Sequence, residues 1–176
     1  MKEPYYWVTK EEREEGAVEW KKNWEGKWWP KATIFSWLAS RGRILTWDNI
    51  QKRGMYGPSM CSLCIKENET QEHLLNKCPY ARCLWEEIRV LFGKTKRDPD
   101  NIRNTLIQWG KWNFQRKVAR RIWNLAVGFV IWSIWRERNR RIFRDKSCQE
   151  SRIWDEICRS IKETVLSKIW DEEDRK

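Results

Sequence analysis

Apolar residues recur at helical spacing through most of the chain beyond residue 30, and no stretch alternates strictly enough to read as a strand. In PKATIFSWLASRG (30–42), Pro30 suits a first helical position, Ile34, Trp37 and Leu38 share a face, and Gly42 ends the run. Thr46 is placed to cap a second short helix in TWDNIQKRG, which stops at Gly54. Thr70 is a good N-cap for QEHLLNKC, with Leu74 and Leu75 turned to the core. Pro79 then forces a new start. YARCLWEEIRVLFG carries Ala81, Leu84, Trp85, Ile88, Leu91 and Phe92 at helical period before Gly93.

The stretch GKTKRDPDN (93–101) is polar and contains Pro99, which marks it as a boundary. A short helix around Ile102 to Trp109 follows, then a long one from about Phe114 to Arg144. The centre of the long run, IWNLAVGFVIWSIW, is apolar nearly all round over 14 residues. A bilayer needs about 20, so a buried core helix is expected and no membrane partner. Ser147 and Glu150 form a capping box for a last helix on which Ile153, Ile157, Ile161, Val165 and Ile169 recur. That stripe should pack on the preceding apolar centre as a hairpin. The fold class is mainly α.

The chemistry sits between the second and third helices. Cys61, Cys64, His73 and Cys78 have the spacing C-x2-C-x8-H-x4-C, and His73 is the single histidine of the chain. Four Cys and His ligands suit the tetrahedron of a structural zinc, and a full set leaves no open position for activating water. One structural zinc is therefore expected, stapling the helix from Pro79 onto the two before it. Removing it should take most of the helical signal. Three parts follow: an ill-defined segment 1–26 holding Trp7, Trp20 and Trp24, a zinc-binding helical domain 27–92, and a basic helical region 93–176.

Six cysteines with no apolar stretch in the opening MKEPYYWVTKEEREEG argue for a reducing, intracellular setting, nucleus or cytoplasm, in which Cys83, Cys148 and Cys158 remain packed free thiols. The net charge of +11 over 176 residues favours a polyanionic partner. Ten Lys or Arg and two acids between Arg116 and Lys146 supply +8 of it, and residues 27–60 add +5. Arg116, Lys117, Arg120 and Arg121 precede the apolar centre, while Arg136, Arg138, Arg140, Arg141 and Arg144 follow it. On one helix the two clusters stand about 30 Å apart. They can span phosphate tracks or simply be solvated ends, since charge runs on helices are commonly only that. Trp47 and Trp112 are candidates for stacking on bases, whereas Trp37, Trp85, Trp123, Trp132 and Trp154 fall on apolar faces. The loop IKENETQE holds three Glu against one Lys and should repel phosphate.

Three ordered stretches, WWPKATIFSWLASRGRILTWDNIQKRG, GPSMCSLC and ETQEHLLNKCPYARCLW, cover about residues 28–85. Together they resemble the zinc-binding domain at the C-terminal end of plant non-LTR (LINE-type) retrotransposon reverse transcriptases. IWSIWRERNRRIF resembles the segment that trails it. The resemblance assigns the ligand roles to Cys61, Cys64, His73 and Cys78 and implies an element whose polyprotein binds RNA and target DNA. No Asp-Asp dipeptide of a polymerase palm occurs, nor a carboxylate cluster for an endonuclease or RNase H, so no enzyme is expected. The expectation is a detached, retroelement-derived module that binds RNA or DNA nonspecifically. The alternatives are a protein-interaction module for a reverse transcriptase or host protein, or a remnant without selected function.

Overall fold

A computed structural model describes residues 30–94, 101–110, 115 and 117–173. The described residues form helices α1 (Pro30–Ser40), α2 (Trp47–Gln51), α3 (Pro79–Leu91), α4 (Ile102–Gly110), α5 (Lys117–Arg144) and α6 (Glu150–Glu173), with a π turn at His73–Lys77. No strand occurs among them; one isolated antiparallel bridge joins Met60 and Asn68. The expected glycine stops hold: Gly42, Gly54 and Gly93 all take positive φ, the left-handed geometry that glycine adopts without steric cost.

The long helix α5 is the axis. α6, α1, α3 and the π turn all pack on it. Its apolar centre is buried from Trp123 to Ile134 except at half-buried Asn124 and Trp132. None of the described helices is long and apolar enough to cross a membrane. On α6, Ile153, Ile157 and Ile161 are buried and Val165 packs at their edge, as the four-residue stripe requires, while the side chain of Ile169 lies outside the described residues.

Tryptophans fill the junction between α3, α4 and α5. Trp109 stacks on Trp123 at 4.5 Å and meets the edge of Trp85 at 4.7 Å, and Phe92 closes on Trp123 at 4.8 Å. Two of the buried indole N–H groups are seen on carbonyls: Trp85 donates to Leu75 O at 2.7 Å and Trp123 to Trp109 O at 2.9 Å, as a polar atom inside a core requires. The apolar core runs without a break from Phe35 to Ile161. It crosses the polar stretch 93–101, of which residues 95–100 lie outside the described residues, as does the segment 1–26.

Several local expectations are corrected. α1 buries Ala32, Phe35, Ser36 and Ala39, leaving Ile34 at 44% exposure. Small residues let this helix approach α5 closely, where Phe35 meets Trp132 and Trp135. Leu91 is exposed because α3 is in its last turn there. Thr46 stands at the N-cap of α2 but makes no capping bond; its hydroxyl donates to Asp48 Oδ1 instead. α6 begins at Glu150, two residues later than a cap at Ser147 would put it. Trp47 is half-buried against Gly57, where an added Cβ would lie 2.3 Å from the indole, so its face is not open for a base. Trp112 lies outside the described residues.

Candidate metal centre

The centre is assembled from a tight loop and a helix junction. Cys61 N–H donates to Glu67 O at 2.8 Å and Glu69 N–H to Ser59 O at 2.6 Å, pinching the segment into a hairpin. At its tip Ile65 N–H returns to Cys61 O at 2.9 Å, with Ile65 at φ 54°. This turn brings Cys64 back beside Cys61. On the other side Thr70 Oγ1 accepts the His73 N–H at 3.0 Å, so Thr70 caps the turn as expected. The chain then widens into the π turn, and Cys78 N–H bonds to His73 O at 2.6 Å. An i→i+5 bond joins residues five apart, so the widened turn brings the two ligands together where a regular α-turn would not.

Cys61, Cys64, His73 and Cys78 offer ligand atoms that all lie within 4.8 Å of one another. Cys61 and Cys78 Sγ are 3.9 Å apart, and Cys64 Sγ is 3.2 Å from His73 Nε2. Sulfurs about 2.3 Å from a tetrahedral ion stand roughly 3.8 Å apart. Three thiols and an imidazole, mostly buried and gathered within 4.8 Å of one another, fit one zinc with no position left open. The thiols are unequal before metal: the Cys78 thiol donates to Cys61, which holds the Cys61 thiol down to about 5 and pushes Cys78 up, helped there by burial. Backbone N–H groups of Leu63 and Cys64 also face Cys61 Sγ, and those of Tyr80 and Ala81, at the start of α3, face Cys78.

Residues 1–85 match the family described as zinc-binding in reverse transcriptase. This part of the chain is similar to the zinc-binding domain of that family. No curated protein and no solved structure matches the chain. The family match ends at Trp85, yet the zinc-binding domain is held from beyond it. His73 Nδ1 lies 3.1 Å from Glu67 Oε2, an approach off the N–H axis that leaves this buried nitrogen without a formed hydrogen bond. Glu69, 1% exposed, receives Arg138 of α5 and also accepts Trp47 N–H at 3.1 Å. Glu72 accepts Ile102 N–H at 2.6 Å at the start of α4. Glu69 and Glu72 are thus engaged as internal acceptors, which corrects the reading of those two as a phosphate-repelling surface, while Glu67 stays largely exposed.

The nine cations singled out in the sequence divide sharply. Arg138 is 4% exposed and spent on Glu69. Arg140 and Arg141 both pair with Glu137, which is fully buried, and Arg141 continues to the carbonyls of Ser62 and Leu63 at 3.2 and 2.8 Å. These arginines hold the fold and are not an open phosphate track. Arg136 is largely exposed, 3.8 Å from Glu156, and Arg120 and Arg144 are exposed. Arg116 and the side chains of Lys117 and Arg121 lie outside the described residues. Among the remaining thiols, Cys148 and Cys158 are half-buried, but Cys83 is exposed and not packed. Charge counting missed the structural role of Glu69 and Glu137; the only available signal was that α5 carries Glu137 alone within its basic end.

Proposed function

We propose that this is a retroelement-derived module in which zinc is structural and an exposed basic surface of the zinc-binding domain holds RNA or DNA by its phosphates, without reading sequence. The observation that carries this reading is the lip formed by α2 and the turn before it. Asn49 donates to the carbonyls of Gly42 and Ile44, at 2.8 and 2.9 Å, and accepts from Lys52, which also lies 3.8 Å from Asp48; this ties the turn that carries exposed Arg43 to the helix that leads into Lys52. Arg53 follows, and Tyr56 is 97% exposed. Cations close in sequence to a solvent-facing aromatic ring suit a backbone with bases free to stack. The net charge of +11 supports the same class of partner.

The test is a titration of RNA, single-stranded DNA and duplex DNA over a salt series, comparing wild type with a variant carrying Gln at Arg43, Lys52 and Arg53. Log affinity should fall linearly with log salt, and the variant should lose roughly one unit of slope per lost contact. No binding at low salt, or a flat salt response, overturns the reading. Arg138, Arg140 and Arg141 are unsuitable targets for this experiment, because replacing them would test folding.

A second reading, a protein-interaction module, is favoured by one observation: Phe143 is 75% exposed beside Ile142 near the end of α5. Self-association that salt does not disrupt, and that Phe143→Ser abolishes, would support it.

A further inference from the structure

Arg141 lies 77 positions from Cys64 in sequence but against the loop that carries it. We infer that Arg141 is a positioning residue of the metal centre: its guanidinium grips the two peptide groups that lie between Cys61 and Cys64 and so fixes the two sulfurs for the ion. The inference rests on the zinc reading of Cys61, Cys64, His73 and Cys78. Its geometry is specific. Arg141 Nη1 donates to Ser62 O at 3.2 Å and Leu63 O at 2.8 Å. The Ser62 carbonyl belongs to the same planar peptide as the Leu63 N–H, and the Leu63 carbonyl to the same peptide as the Cys64 N–H. Those two peptides join the ligands Cys61 and Cys64, and their N–H groups favour the Cys61 thiolate.

In a trans peptide C=O and N–H point in opposite directions, so holding the oxygens from one side aims the hydrogens at the other. A cation on the oxygens also polarises each peptide and strengthens its N–H as a donor to sulfur. A Cys3His zinc carries a net charge of about −1, which an adjacent guanidinium offsets. Arg141 is itself aimed. Its Nε donates to Glu137 Oε1 at 2.7 Å, its guanidinium lies 4.9 Å from the centre of the Tyr80 ring, and Nη2 reaches Cys148 O at 3.4 Å. Tyr80 follows the ligand Cys78 by two residues, so the same side chain spans both halves of the ligand set.

The experiment uses the full chain loaded with zinc or cobalt(II), with Arg141→Gln, Arg141→Lys and, on the same helix, exposed Arg144→Gln as control. Metal transfer to a chelator, the sulfur-to-cobalt charge-transfer band and the far-UV spectrum are measured. Arg141→Gln should release metal about 10- to 100-fold faster, the range for lost outer-shell partners, and should shift the cobalt band while keeping its helical spectrum. Arg144→Gln should match wild type. Lysine keeps the charge but not the planar fork, so Arg141→Lys should fall between. A merely structural arginine would lower the unfolding midpoint and leave the cobalt band in place, which would overturn the inference, as would release within twofold of wild type. If Arg141→Gln does not fold, Arg141→Lys decides: faster release supports the inference and wild-type release overturns it. A wild-type chain that takes up no cobalt would instead overturn the metal reading itself.

Discussion

Arg138 of α5 donates through Nε and Nη2 to the carboxylate of Glu69, 69 positions earlier in the zinc loop, and the pair is closed off from water at 4% and 0% side-chain exposure. The Arg138 guanidinium also lies 5.0 Å from the Trp135 ring, and Glu69 takes the Trp47 N–H as a further donor. Two charges survive in such a place only because each satisfies the other. Their removal from water costs about as much as their attraction returns, so the pair adds specificity of docking more than net stability.

Breaking that pair from one side should therefore be severe. Glu69→Ala strands a buried guanidinium and should cost about 3–5 kcal/mol, read as a lowered urea midpoint. The double variant Glu69→Leu, Arg138→Met removes both charges and should recover most of that loss. A Glu69→Ala protein of near wild-type stability would mean that water reaches Arg138 and that the pair is not closed.

Metal removal should act unevenly along the chain. The hairpin at Cys61 to Glu69 and the π turn contribute few apolar side chains beyond Leu63, Leu74 and Leu75, whereas α5 and α6 bury Ile131, Ile134, Ile153 and Ile157 away from the ligands. Chelation is expected to lower the far-UV signal and abolish amide protection from residue 59 to residue 78, while protection in the α5–α6 hairpin persists. Structural zinc contributes folding free energy directly. Uniform loss of protection across both regions would show that the metal holds the whole chain, and an unchanged spectrum would show that it holds none of it.

Much of this was legible in the sequence because its signals are local. Pro79 and the glycines at 42, 54 and 93 punctuate helices through their own backbone limits, and the ligands announce themselves by residue type and spacing. The four candidate ligands that the structure gathers could be picked out for the same reason: a thiolate set needs few further facts. What failed was pairing at a distance. Nothing local tells that Arg138 meets Glu69 or that Arg140 and Arg141 converge on Glu137, so a dense basic run looked like surface. Nor does hydrophobicity alone choose a helix face: on α1 the close approach to α5 selected Ala32, Ser36 and Ala39 over Ile34.

The remaining thiols should separate by reactivity. Cys83 is exposed, yet its thiol is pushed up by the desolvation it does feel and by the charges of Glu150 and Glu87; Cys158 is pushed up by desolvation and by Asp155 and Glu87. A raised thiol holds less thiolate at neutral pH, so alkylation of both in the zinc-loaded protein should be slower than for free cysteine and should climb at higher pH than it does for free cysteine. Mass mapping of iodoacetamide adducts over pH 7–10 checks this. Adducts on Cys61, Cys64 and Cys78 should appear only after chelation. Rapid modification of Cys83 at pH 7 would contradict the electrostatic account.

Ile65 offers a test in the opposite direction, a substitution expected to stabilise. It follows the ligand Cys64 at φ 54°, a left-handed conformation that a β-branched residue adopts at a cost of about 1–2 kcal/mol. Its side chain is 73% exposed, so little apolar burial offsets that strain. The conformation is imposed by the ring that Ile65 N–H closes to Cys61 O, which any residue can supply. Ile65→Asn should raise stability by about 1 kcal/mol, since asparagine visits this region readily. Ile65→Gly should gain less, because glycine also loosens the unfolded chain. Urea denaturation of the zinc-loaded variants measures both. A loss of stability in Ile65→Asn would mean that the exposed isoleucine makes a contact worth more than its backbone strain.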